Sequence, residues 1–263
     1  MPTTAFRSPG SLVLAALCAL APAAPAQKPP KKDQDPEVAA KVDLLDEVAD
    51  DRKFERDAEG VAAIDVLYQK HEEGLHPKDE KMVLKALDDV LNRSKVRDAN
   101  QTQLYDAAAA ALGQHGAGGA KALKKAFESK RFPDKPEWVP LREKLLRNIG
   151  KTKEESMVKF LIDEARRNPE AALQAAAGEA LGNFEESPEK VRKEIVSQLL
   201  ITYGSLAEIA SQLGTNIEAQ NAQRRLAALS GKWNDTLRKL TKQDFDAFRE
   251  WQDWYNDNKN KPW

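Results

Sequence analysis

LQAAAGEALGNFEESPEKVRKEIVSQLL, residues Leu173 to Leu200, holds two short helices and the stop between them. Leu173, Ala177, Ala180 and Leu181 recur at three- and four-residue intervals, as do Val191, Ile195, Val196, Leu199 and Leu200. That spacing places each set on one face of a helix. Ser187-Pro188 ends the first helix and caps the second, and Asn168-Pro169 does the same one helix earlier. Each helix carries one apolar stripe and is too short to bury it alone, so neighbouring pairs have to cover one another.

The pattern continues toward the N-terminus. Thr152 and Glu155 have capping-box spacing before Val158, Leu161, Ile162 and Ala165. Leu141, Leu145, Leu146 and Ile149 form a stripe ending at Gly150, and Ala122, Leu123, Ala126 and Phe127 form another. An alanine-rich stretch from Leu104 to Leu112 ends at Gly113. Val83, Leu84, Leu87, Val90 and Leu91 follow Pro77, which suits a first helical turn. Val61, Ile64, Leu67 and Tyr68 precede a stop at Gly74, and Val38, Val42, Leu45 and Ala49 mark the first helix. Toward the C-terminus, Thr215 and Glu218 repeat the capping-box spacing before Ala222, Leu226 and Leu229. Period-two runs of Val, Ile and Thr are missing, so an all-α fold is expected. An apolar residue followed by Gly or Ser recurs at Leu112-Gly113, Ile149-Gly150, Leu181-Gly182 and Leu229-Ser230, with spacings of 37, 32 and 48. The first two lie near the roughly 40 residues of a helical-pair repeat. The third implies a longer helix or an insertion around Tyr203 to Asn216.

Three segments carry a family resemblance: AAAALGQHGAGGAKALKKAF (Ala108 to Phe127), LREKLLRNIGKTKEESMVKFLIDEA (Leu141 to Ala165) and the stretch quoted first. The Ala-Ala-x-x-Leu-Gly of the first, the Ile-Gly and Leu-Gly helix ends of the other two, the short loops and the paired apolar positions resemble HEAT repeats of the armadillo type, between about Leu104 and Leu200. The resemblance implies an α-solenoid of about five HEAT-like helical pairs over 37–230. It also implies a binding surface lined by the second helix of each pair, with Gln103, Asp106, Arg142, Glu143, Gln174 and Glu179 as candidate protein-binding positions.

Residues 231–263 differ. They hold Trp233, Trp251, Trp254 and Trp263 with Phe245, Phe248 and Tyr255. Their order resembles the C-terminal end of exported bacterial HEAT-like proteins. Thr241 is placed to cap a helix whose Phe248, Trp251, Trp254 and Tyr255 share a face. Two roles stay open for this segment: a Trp-rich helical cap burying the last repeat, or an aromatic docking surface for a peptide or glycan.

The first 26 residues read as a secretory signal. Arg7 precedes the apolar run SLVLAALCAL from Ser11, and Ala24-Pro25-Ala26 supplies a cleavage site. The run falls short of the ~20 residues needed to span a membrane. A lipoprotein reading would use Cys18, behind a bulky Leu17. Cleavage removes Cys18, the only cysteine, leaving no thiolate chemistry. Residues 27–36, QKPPKKDQDP, read as a disordered tether. With 41 basic and 42 acidic residues, net charge −1, the chain lacks the field that nucleic acid or anionic lipid needs.

Catalytic and cofactor motifs fail on spacing. His71 and His76 stand five apart, not the four that put two zinc ligands on one helical face, and Gly74 breaks the helix between them. Gly150-Lys151-Thr152 ends like a phosphate loop, but Leu145 occupies the position of its first glycine. Gly113, Gly116, Gly118 and Gly119 follow a helix, as a turn between paired helices does. No Gly-x-Ser-x-Gly elbow exists, and no carboxylate pair stands out. No cofactor or metal is therefore expected. The expected role is a non-catalytic scaffold that binds a protein partner in the cell envelope or outside the cell. Because some HEAT-like families act as lyases or glycosylases, the alternative is an enzyme, or an enzyme accessory, with an acidic cleft. A structural role in a surface layer is a third option.

Overall fold

Prolines, acidic N-caps and glycine stops cut this chain into helices. The computed structural model describes residues 34–212 and 217–263, which belong to one compact unit. The expected signal, 1–26, and most of the expected tether lie outside them, as does Thr215. Eleven helices follow in order: α1 (Pro36–Asp50), α2 (Asp57–Glu72), α3 (Pro77–Asn92), α4 (Gln103–Leu112), α5 (Gly116–Glu128), α6 (Val139–Lys151), α7 (Val158–Arg167), α8 (Ala171–Leu181), α9 (Glu189–Ala210), α10 (Ile217–Thr241) and α11 (Phe248–Asn258). Among the described residues there is no strand, and the fold is all-α. No helix there is long and apolar enough to cross a membrane.

The chain neighbours α1–α2, α3–α4, α5–α6, α7–α8 and α9–α10 pack against each other. Between these pairs, α2, α4, α6, α8 and α10 touch in series. The other helices do so as α1–α3–α5 and α7–α9–α11. Between α5 and α6 the connection buries Phe132 and Trp138. Buried apolar residues form one continuous cluster from Val38 to Trp251. Two close approaches depend on glycine. A Cβ at Gly150 would overlap the backbone of Ala180, so α6 and α8 meet there nearly backbone to backbone. Gly74, with φ +88°, turns the chain between α2 and α3 in a left-handed conformation that suits glycine.

Several expected ends fall where the residue types put them. Gly113 and Gly182 follow the last residues of α4 and α8, and Pro77 opens α3. Others do not. Thr152 ends α6 instead of capping α7, because its buried hydroxyl donates back to the Ile149 carbonyl at 2.6 Å. Glu154 caps the short 3-10 turn that leads into α7. Ser230 ends nothing: α10 runs through it to Thr241, packed on both α8 and α9. Thr241 in turn bonds the Leu237 carbonyl, and α11 starts seven residues later with the Glu250 carboxylate accepting from the Ala247 N–H. At the other end, Asp35 caps α1, its N–H donates to Asp79 at 3.0 Å, and its carboxylate pairs with Lys70 at 2.9 Å.

Candidate functional site

Of the six expected face residues, three form a network and two are used inside the protein. Asp106 on α4 pairs with Lys144 on α6 at 2.6 Å. Arg147, also on α6, lies 3.3 Å from Glu143 and 2.8 Å from Glu179 of α8. Lys232 of α10 stands 3.9 and 3.8 Å from the same two carboxylates. A charged ladder therefore crosses four helices of one row. Gln103, the first residue of α4, is exposed. Arg142 is buried: its guanidinium donates to the carbonyls of Phe127 and Phe132, pairs with Asp134 at 3.0 Å and stacks 4.2 Å from the Phe127 ring centre. Gln174 is buried as well, between the Arg166 carbonyl and Arg225. These two polar side chains satisfy open carbonyls and chain ends, so neither is presented to a partner.

The aromatic segment is mostly inward. Trp251 has no exposed surface, and its indole N–H donates to Asn234 at 3.1 Å. Phe248, half-buried, packs against Tyr203, and a Cβ at Gly204 would crowd its ring. Tyr255 packs on the core cluster, while Trp254 meets Trp263 edge to face at 5.1 Å.

Two concave features stand out. Lys81, Leu84, Lys85 and Asp88 share one face of α3, and Gly118, Lys121, Ala122 and Lys125 share one face of α5. Both sets follow the same i, i+3, i+4, i+7 register, so they line opposite walls of a groove of about 460 Å³. Its floor is Leu84, Gly118 and Ala122, and a Cβ at Gly118 would run into Leu84. The glycine leaves room for the Leu84 side chain between α5 and α3. A second cleft, of about 570 Å³, lies beside Phe127, Lys130, Asp134, Arg142 and Glu164. Burial pushes the Glu164 carboxyl above its ordinary value, against a hydrogen bond from Asn168 and the nearby charge of Arg142.

The close approach of α5 to α3 also creates a cluster that sequence reading missed. His71 in the last turn of α2, Glu80 in the first turn of α3 and His115 just before α5 converge. The Nδ1 atoms of His71 and His115 lie 3.0 and 2.7 Å from the two Glu80 carboxylate oxygens. The ring centres are 4.2 Å apart. The His115 side chain is 2% exposed, against 23% for His71 and 35% for Glu80. Burial lowers the His115 pKa despite the Glu80 carboxylate beside it. For Glu80, burial acts upward, but hydrogen bonds from His115 and His71 outweigh it and leave the carboxyl below its ordinary value. These three are the described His, Cys, Asp and Glu residues placed to hold a metal ion. His76 does something else: its Nδ1 accepts the Lys78 N–H at the start of α3. Local spacing offers His71 only His76 as a companion, and that pair fails at five residues apart. The true neighbours stand 9 and 44 residues away from His71, beyond the reach of a spacing motif.

Comparison with known protein families, curated proteins and solved structures finds no match.

Proposed function

We propose that this chain is an exported, non-catalytic protein-binding module. In this reading it is an α-solenoid of five HEAT-like pairs, α1–α2 through α9–α10, closed at its C-terminal end by the aromatic α11. What supports the architecture is the serial packing of the even-numbered helices and the continuous core. Export rests on the residue pattern of 1–26 alone.

One observation carries the binding role: the groove between α3 and α5. Its apolar floor offers burial, and its rims carry four lysines, of which Lys85 pairs with Asp89 at 2.9 Å and Lys125 with Asp88 at 3.4 Å, leaving Lys81 and Lys121 to face a ligand. In a chain of net charge −1, that is a local excess of positive charge. It fits an acidic, amphipathic helical segment of a partner protein, whose apolar residues meet the floor and whose carboxylates meet the lysines. The ladder of Asp106, Glu143 and Glu179 is internally neutralised by Lys144, Arg147 and Lys232 and makes a weaker docking surface.

The test is fluorescence anisotropy with a labelled synthetic helix of Glu and Leu. Saturable binding that weakens with salt, and that falls at least tenfold in the Lys81→Glu/Lys121→Glu variant, is expected. Equal binding by wild type and variant removes the groove from the proposal. The alternative, an enzyme with an acidic cleft, draws on Glu164 and its raised pKa. It predicts turnover of generic ester or glycoside substrates that is lost in Glu164→Gln.

A further inference from the structure

We propose that His71, Glu80 and His115 form a binding site for one divalent transition-metal ion of the zinc class, joining α2, α3 and α5. The donor set is two imidazoles and a carboxylate, the mixture that Zn²⁺ accepts when three protein groups leave a fourth position to water. Its geometry is close to what coordination needs. One donor atom from each residue lies within 4.8 Å of the others. Ligands held about 2.1 Å from a tetrahedral ion stand about 3.4 Å apart. Two of the separations here, His71 Nδ1 and His115 Nδ1 to the Glu80 oxygens, are 3.0 and 2.7 Å, a few tenths of an ångström short of that spacing.

The position of His115 strengthens the assignment. A histidine that buried needs a partner, and its partner is a carboxylate that already serves a second histidine. Both rings turn the same nitrogen, Nδ1, toward one point. The two ring centres lie only 4.2 Å apart, so a single ion can reach both imidazoles. Glycine builds this arrangement. Gly118 admits α5 against Leu84, one turn of α3 beyond Glu80, and a Cβ at Gly119 would collide with the Leu112 carbonyl. A Cβ at Gly119 would also press on the His115 side chain, 3.3 Å away. The partial exposure of His71 and Glu80 leaves a route for the ion and a face for its fourth ligand.

The test uses the full chain, stripped with chelator and titrated calorimetrically with Zn²⁺ and with Co²⁺. One equivalent should bind and raise the melting temperature. Loss of an outer-sphere partner already costs about 10–100-fold in affinity, so loss of a ligand should cost more than about 100-fold. His71→Ala and Glu80→Gln should both show it, while His76→Ala should bind like wild type. Should a substituted chain fail to fold, the wild type still decides the matter. Bound paramagnetic Co²⁺ must shift the ring protons of His71 and His115 far more than those of His76. No binding, binding that survives both ligand substitutions, or shifts centred on His76 would overturn the assignment.

Discussion

Around α1–α4 the most deeply buried polar side chain is a guanidinium; around α8–α11 the space is filled by indoles. Arg97 has a side chain with no exposure, yet it donates to both oxygens of Asp57 at 2.7 Å and to the carbonyls of Val48 and Lys95. The rings of Phe54 and Tyr105 flank it at 4.9 and 5.5 Å. Trp233 and Trp251, both fully buried, fill the other end with little polar bonding: Trp251 bonds Asn234, and the Trp233 indole nitrogen is buried without a partner. The first arrangement ties the α1–α2 connection to the chain entering α4, where no apolar stripe could fix the register. The second supplies buried area and little direction. Polar clasps set geometry where loops meet, and aromatics supply burial where helices meet.

The largest effects should separate the two ends. Asp57→Ala leaves the Arg97 charge buried and unpaired and should cost about 3–5 kcal/mol in urea unfolding. Trp251→Ala should cost a similar ~3–5 kcal/mol. The two losses differ in how they can be repaired. Replacing both charges, as Asp57→Leu with Arg97→Met, should recover part of the first loss, because a buried ion pair gains little over apolar packing, while the Val48 and Lys95 carbonyls lose the guanidinium donor. If the double variant is no better than Asp57→Ala, the clasp contributes energy as well as geometry and the contrast between the ends weakens.

A smaller effect tests the aromatic end alone. A Cβ at Gly178 would overlap the Trp233 indole, whereas one at Gly231 meets nothing within 4 Å. Gly178→Ala should therefore destabilise by about 1–3 kcal/mol through overpacking. Gly231→Ala, inside α10, should stabilise by roughly 0.5–1 kcal/mol through its helix preference. Equal responses at the two glycines would mean that the α8–α10 contact yields easily.

The contrast also explains what was legible in the sequence. Helix positions follow from local chemistry, so Gly113, Gly182 and Pro77 mark their ends correctly. The all-α class follows from the same spacing. The polar contacts were not legible because their partners are far apart in the chain: Arg97 and Asp57 by 40 residues, His115 and Glu80 by 35. Periodicity marks a polar residue as facing outward, yet Arg142 and Gln174 turn to carbonyls left open by neighbouring helix ends. Asp106, Glu143 and Glu179 were placed on one row of helices, but their neutralising partners on α6 and α10 had no local signature.

Between the two ends, Glu164 offers a pH test. Its folded pKa is raised above the ordinary 4.5 by burial, so the folded chain binds more protons than the unfolded chain in the window above that value. Stability should fall as pH rises through that window, and the loss is complete once the folded group ionises. Glu164→Gln should remove this slope and raise the melting temperature at neutral pH. A melting curve series that keeps its slope in the variant would assign the effect to other groups.

The smallest expected effect is in the ladder, which joins neither end's chemistry. Glu143, Glu179 and Lys232 are partly exposed, with side-chain exposures of 21%, 41% and 37%, so solvent screens their interactions. Each of Glu143→Gln and Glu179→Gln should cost less than about 1 kcal/mol, and added salt should shrink the cost further. Both carboxylates share Arg147, so the double variant should lose more than the two single losses added, since either one alone still holds the guanidinium. Strictly additive losses would show that Arg147 does not link α6 to α8, and that their contact rests on Gly150 meeting Ala180 and on the apolar residues around it.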